Sequence, residues 1–343
     1  MPTLQFFMST QSEHATKPLA SVVIPTKNPG PLFLQVLAMV MRQKTNWPFE
    51  VIVIDSGSRD GTLEAVRQDF PVVRLVEIAP ESFGHGRTRN QGVSLAKGEF
   101  VALITHDALP VDENWLEGMV APLLKDPEVA GVFGRHLPYP HAGPFVKRDI
   151  TQHFDHLASW PNPLWLEDRE RYDRDQGYRQ VLHFFSDNNA CLRKSVWQDI
   201  PYPDVNFAED QIWAKTIIEA GYKKAYANEA MVYHSHDYSV IELFRRSFDE
   251  STALFRLFGY TLCPSLLQAI KGVVRGSLHN WSYLKDQTVE RRLYWMCRVP
   301  FNEMARQFGH FLGSAPRSER LYQVLSLDHS LKTARTPSHG QPS

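Results

Sequence analysis

The stretch FVALITHDALPVDENWL, residues 100–116, decides how the rest of this chain is read. Phe100 to Ile104 form an unbroken apolar run, too short for most helices and suited to a strand buried on both faces. Such a strand delivers Asp107 to a sheet edge, where Pro110 ends the run and Asp112 is placed to cap the next helix. Ligands of open α/β sheets bind outside the carboxyl ends of the strands, so Asp107 is well placed to hold a cation.

Upstream the same plan repeats. SVVIPTKN (21–28) reads as a short buried strand, followed by a helical stretch carrying Leu34, Leu37, Ala38 and Met41. FEVIVIDSGSRDGT (49–62) gives an apolar strand with an acidic tip at Asp55, a Gly/Ser turn, and Asp60 as the cap of a helix over 62–69. VVRLVEI (72–78) is a third strand, and HGRTRNQGVSLAKGE (85–99) a helix stopped at Gly98. This alternation predicts right-handed βαβ units and a mostly parallel sheet, an α/β fold.

Downstream, VAGVFGRHLPY (129–139) is a strand. The proline- and aromatic-rich segment 140–180 reads as a long lid or binding loop. VLHFFSDNNACLRKSVW (181–197) returns to strand and then a short helix. FAEDQIWAKTIIEAGYK (207–223) is a helix stopped by Gly221, and MVYHSHDYS (231–239) a strand with His234 and His236 on one face. From residue 240 the pattern is helical, with one apolar stripe through Phe244, Phe248 and Phe255 and a second through Leu267, Ile270 and Val274. Pro300 interrupts a third, basic segment. The organisation expected is a loose tail at 1–19, an α/β domain at 20–239, a helical subdomain at 240–313 and a frayed tail at 314–343.

Net charge is -1, with 37 basic against 38 acidic residues, so no global field points to nucleic acid. Cys191, Cys263 and Cys297 are far apart, which argues against a disulfide framework or a zinc site and for a reducing compartment. Neither a signal peptide nor a membrane-spanning run is seen, so the expected location is the cytoplasm, or the inner face of a membrane.

Asp55, Asp107, the Glu209–Asp210 pair and His234 or His236 would converge in a doubly wound sheet. Asp55, at a strand tip, is placed to accept bonds from a ribose or a base edge. GxGxxG and GxxxxGK[ST] are both missing, which disfavours a dehydrogenase and P-loop chemistry. A nucleotide held without a glycine cradle needs a cation for its diphosphate. Asp107 with a histidine, two diphosphate oxygens and water would complete an octahedral Mg²⁺ or Mn²⁺ site. Arg89 and Asn90 sit at helical spacing from Gly86, facing either the diphosphate or solvent. Asp210 reads both as a general base and, with Glu209, as an acid that a helix N-terminus favours and keeps ionised.

In order, SVVIPTKN, DSGSRDGT, the RTRNQG–AKGE–HDALP series, NNACLRKSVW and AEDQIW resemble glycosyltransferase family 2, over about residues 20–240. HG-TRN, DALP and HSH-YS together look like bacterial rhamnosyltransferases of surface-polysaccharide assembly. The resemblance implies the Rossmann-like GT-A fold that binds nucleotide sugars. It implies that Pro25, Thr26 and Asn28 line the nucleotide, that Asp55 binds base or ribose, and that Arg89 and Asn90 neighbour the diphosphate. Asp107 then matches the first acid of the DxD metal motif, Asp210 the acid that deprotonates the acceptor, and His234 or His236 the late metal-side histidine. Asn189 matches a position near sugar and acceptor, where Glu209 and Trp165 are also expected; Trp160 and Tyr172 would either stack on sugar with Trp165 or simply pack. The second DxD acid is Leu109 here, which puts metal dependence in question.

The activity implied is inverting transfer of a deoxyhexose, L-rhamnose from dTDP-L-rhamnose, to a glycan or lipid-linked saccharide acceptor. The rivals are a UDP- or GDP-sugar donor and a nucleotide-sugar-binding protein without turnover. The C-terminal helices are expected to be a packed subdomain, a homodimer contact or a peripheral membrane contact.

Overall fold

A computed structural model of the protein describes residues 17–205, 207–286, 288–314 and 324–326. The tails expected at 1–19 and 314–343 lie mostly outside the described residues.

The first half follows the predicted alternation: β1 (Ala20–Thr26), α1 (Leu32–Met41), β2 (Phe49–Asp55), α2 (Thr62–Asp69), β3 (Arg74–Glu77), α3 (His85–Leu95) and β4 (Phe100–Ile104). β1 lies between β2 and β4 and runs parallel to both, and β3 extends the sheet parallel to β2. The strand order therefore turns back at β1, which opens a crevice at the carboxyl ends of β1 and β4.

The second half mixes directions. It comprises β5 (Leu109–Pro110), α4 (Trp115–Lys125), β6 (Val129–Leu137), α5 (Pro144–Ala158), α6 (Arg169–Arg174), α7 (Gln176–His183), β7 (Asn189–Arg193), α8 (Lys194–Asp199), α9 (Glu209–Glu219) and β8 (Lys223–Tyr233). β7 is inserted antiparallel between β4 and β6, β8 runs parallel to β6, and β5 closes the edge antiparallel to β8. The result is one eight-stranded sheet in the order β3-β2-β1-β4-β7-β6-β8-β5. One face buries Phe33, Leu37, Trp115 and Met119, the other Leu182, Phe185, Trp213 and Ile217.

Several local expectations are corrected. Segment 140–180 is mainly helical: Asp168 and Asp175 accept backbone N–H bonds from Arg171 and Tyr178 and start α6 and α7, helices too short for a clear apolar period. α3 ends at Leu95, and Gly98 serves close packing instead, since a Cβ there would lie 2.6 Å from the Ala20 backbone. Asp112 does not cap α4; Asn114 holds that position, and Asp112 accepts its N–H in a preceding turn. Asp60 likewise braces Thr62 while left-handed Gly61 precedes α2. β8 starts at Lys223 and ends at Tyr233, so His234 and His236 belong to the loop after the strand.

Beyond lie α10 (Val240–Phe258), α11 (Leu266–Asp286) and α12 (Arg292–Gly313). Ser239 and Glu242 form a reciprocal capping box that starts α10. Pro300 sits inside a continuous α12 and does not break it. Gly309 lets α12 approach α10, because a Cβ there would come within 2.6 Å of the Phe244 carbonyl. A buried His183 ties the helices to the α/β domain, its two ring nitrogens each 2.7 Å from a tyrosine hydroxyl, Tyr172 and Tyr260. Burial pushes this imidazole down to about 3, so it is neutral and offers one donor and one acceptor.

Candidate active site

Two clusters meet around the end of β4. The first follows from strand register. Leu109 lies opposite Tyr233, and continuing that antiparallel pairing puts Asp107 opposite Ser235, bracketed by His234 and His236. Asp107 Oδ1 is 3.7 Å from His234 Nε2, Oδ2 is 3.3 Å from His236 Nε2, and the two imidazole nitrogens are 3.3 Å apart. Burial opposes ionisation of Asp107, but His234, Thr105, His106 and His236 together hold its carboxyl below the ordinary value. Burial lowers His234 to about 4 despite the pull of Asp107, leaving a free nitrogen lone pair. One ligand atom from each residue falls within a 4.8 Å group, and one hard oxygen with two imidazoles suits a divalent ion of the Mn²⁺ type.

The second cluster lines a cavity of about 370 Å³ at the switch point. Pro25, Thr26 and Lys27 enter from β1, Thr105 and His106 from the end of β4, His85 and Arg89 from α3, and Glu209 and Asp210 from the start of α9. The Thr26 hydroxyl is buried there with no hydrogen-bond partner among the described residues. Arg89 is buried between two acids, its Nε 3.2 Å from Asp187 and its Nη1 2.6 Å from Glu209. Asp210 Oδ2 accepts the Asp187 N–H at 3.3 Å, and Oδ1 accepts the Gln211 N–H. Ala208, just before, holds the left-handed φ of 57°, a strained position for a residue with a Cβ.

The electrostatics correct one expectation. Burial, then Glu209 and Asp187, raise Asp210 well above the ordinary carboxyl value, and Arg89 offsets only part of this. The helix N-terminus alone would lower this pKa, and here burial and two neighbouring acids outweigh it and raise it. Burial likewise pushes Asp187 up to about 7.

Other expected residues are placed differently. Asp55 is 1% exposed and spends both oxygens on its own turn, bonding the Gly57 and Ser58 N–H groups and the Ser58 hydroxyl, so it is not free for base or ribose. Asn28 cross-links the same loop by accepting the Arg59 N–H and donating its own N–H to Ser58 Oγ. Asn90 binds Tyr202 and Trp197 through both ends of its amide, so it supports the loop before α9 and does not face a diphosphate. Arg89 is committed to its two acids. Asn189 is fully buried, bonded to Trp115 and the Ala230 and Arg135 carbonyls, and cannot touch a sugar. Trp165 stacks over Lys223 at the start of β8, the opposite end of that strand from His234. Tyr172 is buried in packing against His183 and Glu219, and Trp160 lines a separate surface hollow with Trp165.

The cavity also holds residues the sequence reading passed over, among them Lys27, Phe83, Asn188, Phe207 and Gln211. Asn188 sits in the turn over 186–189 that leads into β7 and lines the cavity, while Asn189 opens the strand and is buried, a difference the doublet alone does not announce.

Residues 21–200 match the sequence profile of glycosyl transferase family 2. The chain is 30% identical over 299 residues to the O-antigen chain rhamnosyltransferase RfbN of Salmonella typhimurium, covering 85% of this chain and 88% of that protein. It is also 30% identical over 304 residues to the O-antigen chain rhamnosyltransferase WbaN of Salmonella anatum, covering 86% and 89%. Its fold is similar to that of a mannosyltransferase from Pyrobaculum calidifontis solved with GDP-Man and Mn²⁺, with a TM-score of 0.55 at 19% identity over 85% of this chain and 86% of that one. The architecture is the GT-A fold, and the chain belongs to glycosyl transferase family 2.

Proposed function

We propose that this glycosyltransferase moves L-rhamnose from dTDP-L-rhamnose to a hydroxyl of a glycan acceptor in surface-polysaccharide assembly, inverting the anomeric carbon. The observation that carries the reading is that Asp210 and the Thr105–His106 step beside Asp107 line one cavity at the switch point. The proposed base and the two residues that precede Asp107 thus face the same space, which supports an in-line displacement. The choice of rhamnose rests on the two relatives named above.

Asp210 takes the acceptor proton as the new glycosidic bond forms. A carboxylate raised toward neutrality is a better base than an ordinary one, provided enough of it stays ionised. Arg89 and Asp187 hold that carboxylate in place from behind. Thr26, Lys27 and the N-terminal turn of α3 at His85 offer the donor nucleotide a hydroxyl, a cation and a positive helix end. A divalent ion held by Asp107, His234 and His236 would supply charge stabilisation for the departing diphosphate.

The test is nucleotide diphosphate release by the purified protein from dTDP-L-rhamnose, UDP-sugars and GDP-sugars, alongside melting shifts with dTDP, UDP and GDP. Release and the largest shift with the dTDP series are expected. A UDP or GDP preference would replace the donor, and binding without any release would favour the non-catalytic reading. Asp210→Asn should lower transfer by about 10²–10⁴-fold with nucleotide binding retained; an unchanged rate would remove Asp210 from the mechanism.

A further inference from the structure

A second cavity, of about 290 Å³, lies between the α/β domain and the C-terminal helices. Its walls come from the start of α5, from the loop that follows His236, and from α12. Nothing in the donor site uses it. We propose that it is an acceptor subsite that holds one sugar ring of the glycan next to the residue receiving the transferred sugar, an inference that rests on the glycosyltransferase reading above.

Position comes first. Tyr238 lines the cavity, and its ring stacks on His236 with centroids 5.9 Å apart. Tyr238 thus links the cavity to the Asp107–His234–His236 cluster, one ring away from it.

The lining is that of a carbohydrate site. Trp295 presents an indole, and the apolar face of a pyranose stacks on such a ring. Around it stand Asp149, Asp237, Arg306 and Asn302, whose remaining lone pairs and N–H groups can bond vicinal hydroxyls, while Arg298 is held by Tyr238, Tyr294 and Asn302. The charges balance, two acids against two guanidinium groups. Arg306 and Asp149 form an ion pair at 3.2 Å, and the Arg298 Nη2 is occupied by the Tyr238 carbonyl. A phosphate or nucleotide would meet both carboxylates, whereas a neutral polyol meets matched partners. Size agrees, since the cavity falls near the lower end of the ~300–1,000 Å³ typical of small-ligand sites, enough for one ring and not for a chain.

The walls are built to stay open. Asp237 is fixed by the Gly143 N–H, 3.1 Å from each of its oxygens. A Cβ at Gly143 would lie 2.7 Å from Trp295 and 2.9 Å from Asp237, so only glycine lets these two stand where they do.

Two opposed variants test the assignment. Asn302→Trp fills the cavity and Trp295→Leu removes its platform. The probes are the methyl glycosides of L-rhamnose, D-mannose and D-galactose at millimolar concentration, followed by saturation-transfer NMR on the full chain. The melting shift with dTDP is measured in parallel. At least one glycoside should bind the wild type, and both variants should weaken it by at least about tenfold, or 1.4 kcal/mol, while the dTDP shift is unchanged. A wild type that binds none of the glycosides, or an Asn302→Trp protein that binds one as well as the wild type does, overturns the subsite. A wild type whose melting temperature responds to none of dTDP, UDP and GDP would instead count against the glycosyltransferase reading. Should Trp295→Leu melt early, Asn302→Trp alone decides.

Discussion

Leu109 and Tyr233 face one another in the short antiparallel pairing of β5 with β8, and this pairing brings Asp107 to its two histidines. Leu109 itself packs with the hydrophobic core, beside buried Ala108 and Val232. An acid at position 109 would therefore enter apolar surroundings and not the cation site. Leu109→Asp is expected to destabilise the fold by about 1–3 kcal/mol in urea denaturation, with no gain in Mn²⁺ affinity by calorimetric titration. Tighter binding of Mn²⁺ by this variant would mean that the side chain turns toward the cluster.

In the proposed cation site the two histidines would take the place of the missing second acid. His236 is the more exposed of the two, its side chain 44% accessible against 13% for His234. His236→Ala should leave the melting temperature nearly unchanged and weaken Mn²⁺ by more than the roughly 10–100-fold lost when only a ligand's outer partner is removed. Asp107→Asn should do the same, and a chelator should slow nucleotide release from the wild type. Full activity in the chelator would show that the cluster is dispensable.

The sequence carried the sheet from β1 to β4 well, because β1, β2 and β4 each hold a buried apolar run (Val22–Ile24, Val51–Ile54, Phe100–Ile104), while the edge strand β3, RLVE, is exposed at both ends. It carried the chemistry less well. Asp55, Asn90 and Asn189 are the residue types expected at a ligand, yet each spends its polar atoms on backbone or indole partners that no local pattern announces. The pKa of Asp210 is raised first by burial and then by Glu209 and Asp187, and of these only the adjacent Glu209 is visible in the local pattern. Segment 140–180 misled for another reason: Gly143 and Pro144, which read as breaks, open the fifteen-residue α5, while α6 and α7 are only six and eight residues long.

Asp187 offers a direct test of those electrostatics. Its carboxyl stands at about 7 against an ordinary 3.8, so the native state holds an extra proton between those values. The stability this group contributes is complete below the ordinary carboxyl range and is lost as the pH rises through about 7. Asp187→Asn keeps an acceptor for the Tyr202 hydroxyl, removes the titration, and should flatten the fall in melting temperature between acid and mildly alkaline buffer. It also removes one of the charges that raise Asp210, so the acid limb of the transfer rate should move to lower pH. A limb that stays in place would separate Asp187 from the base.

The outer faces of α11 and α12 bear on where the protein works. Leu267, Ile270, Val274 and Leu278 recur at helical spacing on α11 and are each about half exposed, and Leu293, Phe301 and Met304 do the same on α12. Lys271 and Arg275 flank the α11 stripe, and Lys285 and Asp286 stand at the helix end. An apolar stripe flanked by cations suits a helix lying on an anionic lipid surface, where each cation would add about 1 kcal/mol, and we propose that contact as the one to test. The protein should sediment with vesicles containing phosphatidylglycerol, less so in high salt, and not with purely zwitterionic ones. The double variant Ile270→Glu, Val274→Glu should lose this binding with little change in melting temperature, since both side chains are already half in water. If the wild type ignores the vesicles and is a dimer by analytical ultracentrifugation that the same variant splits, a second copy of the chain covers this face instead.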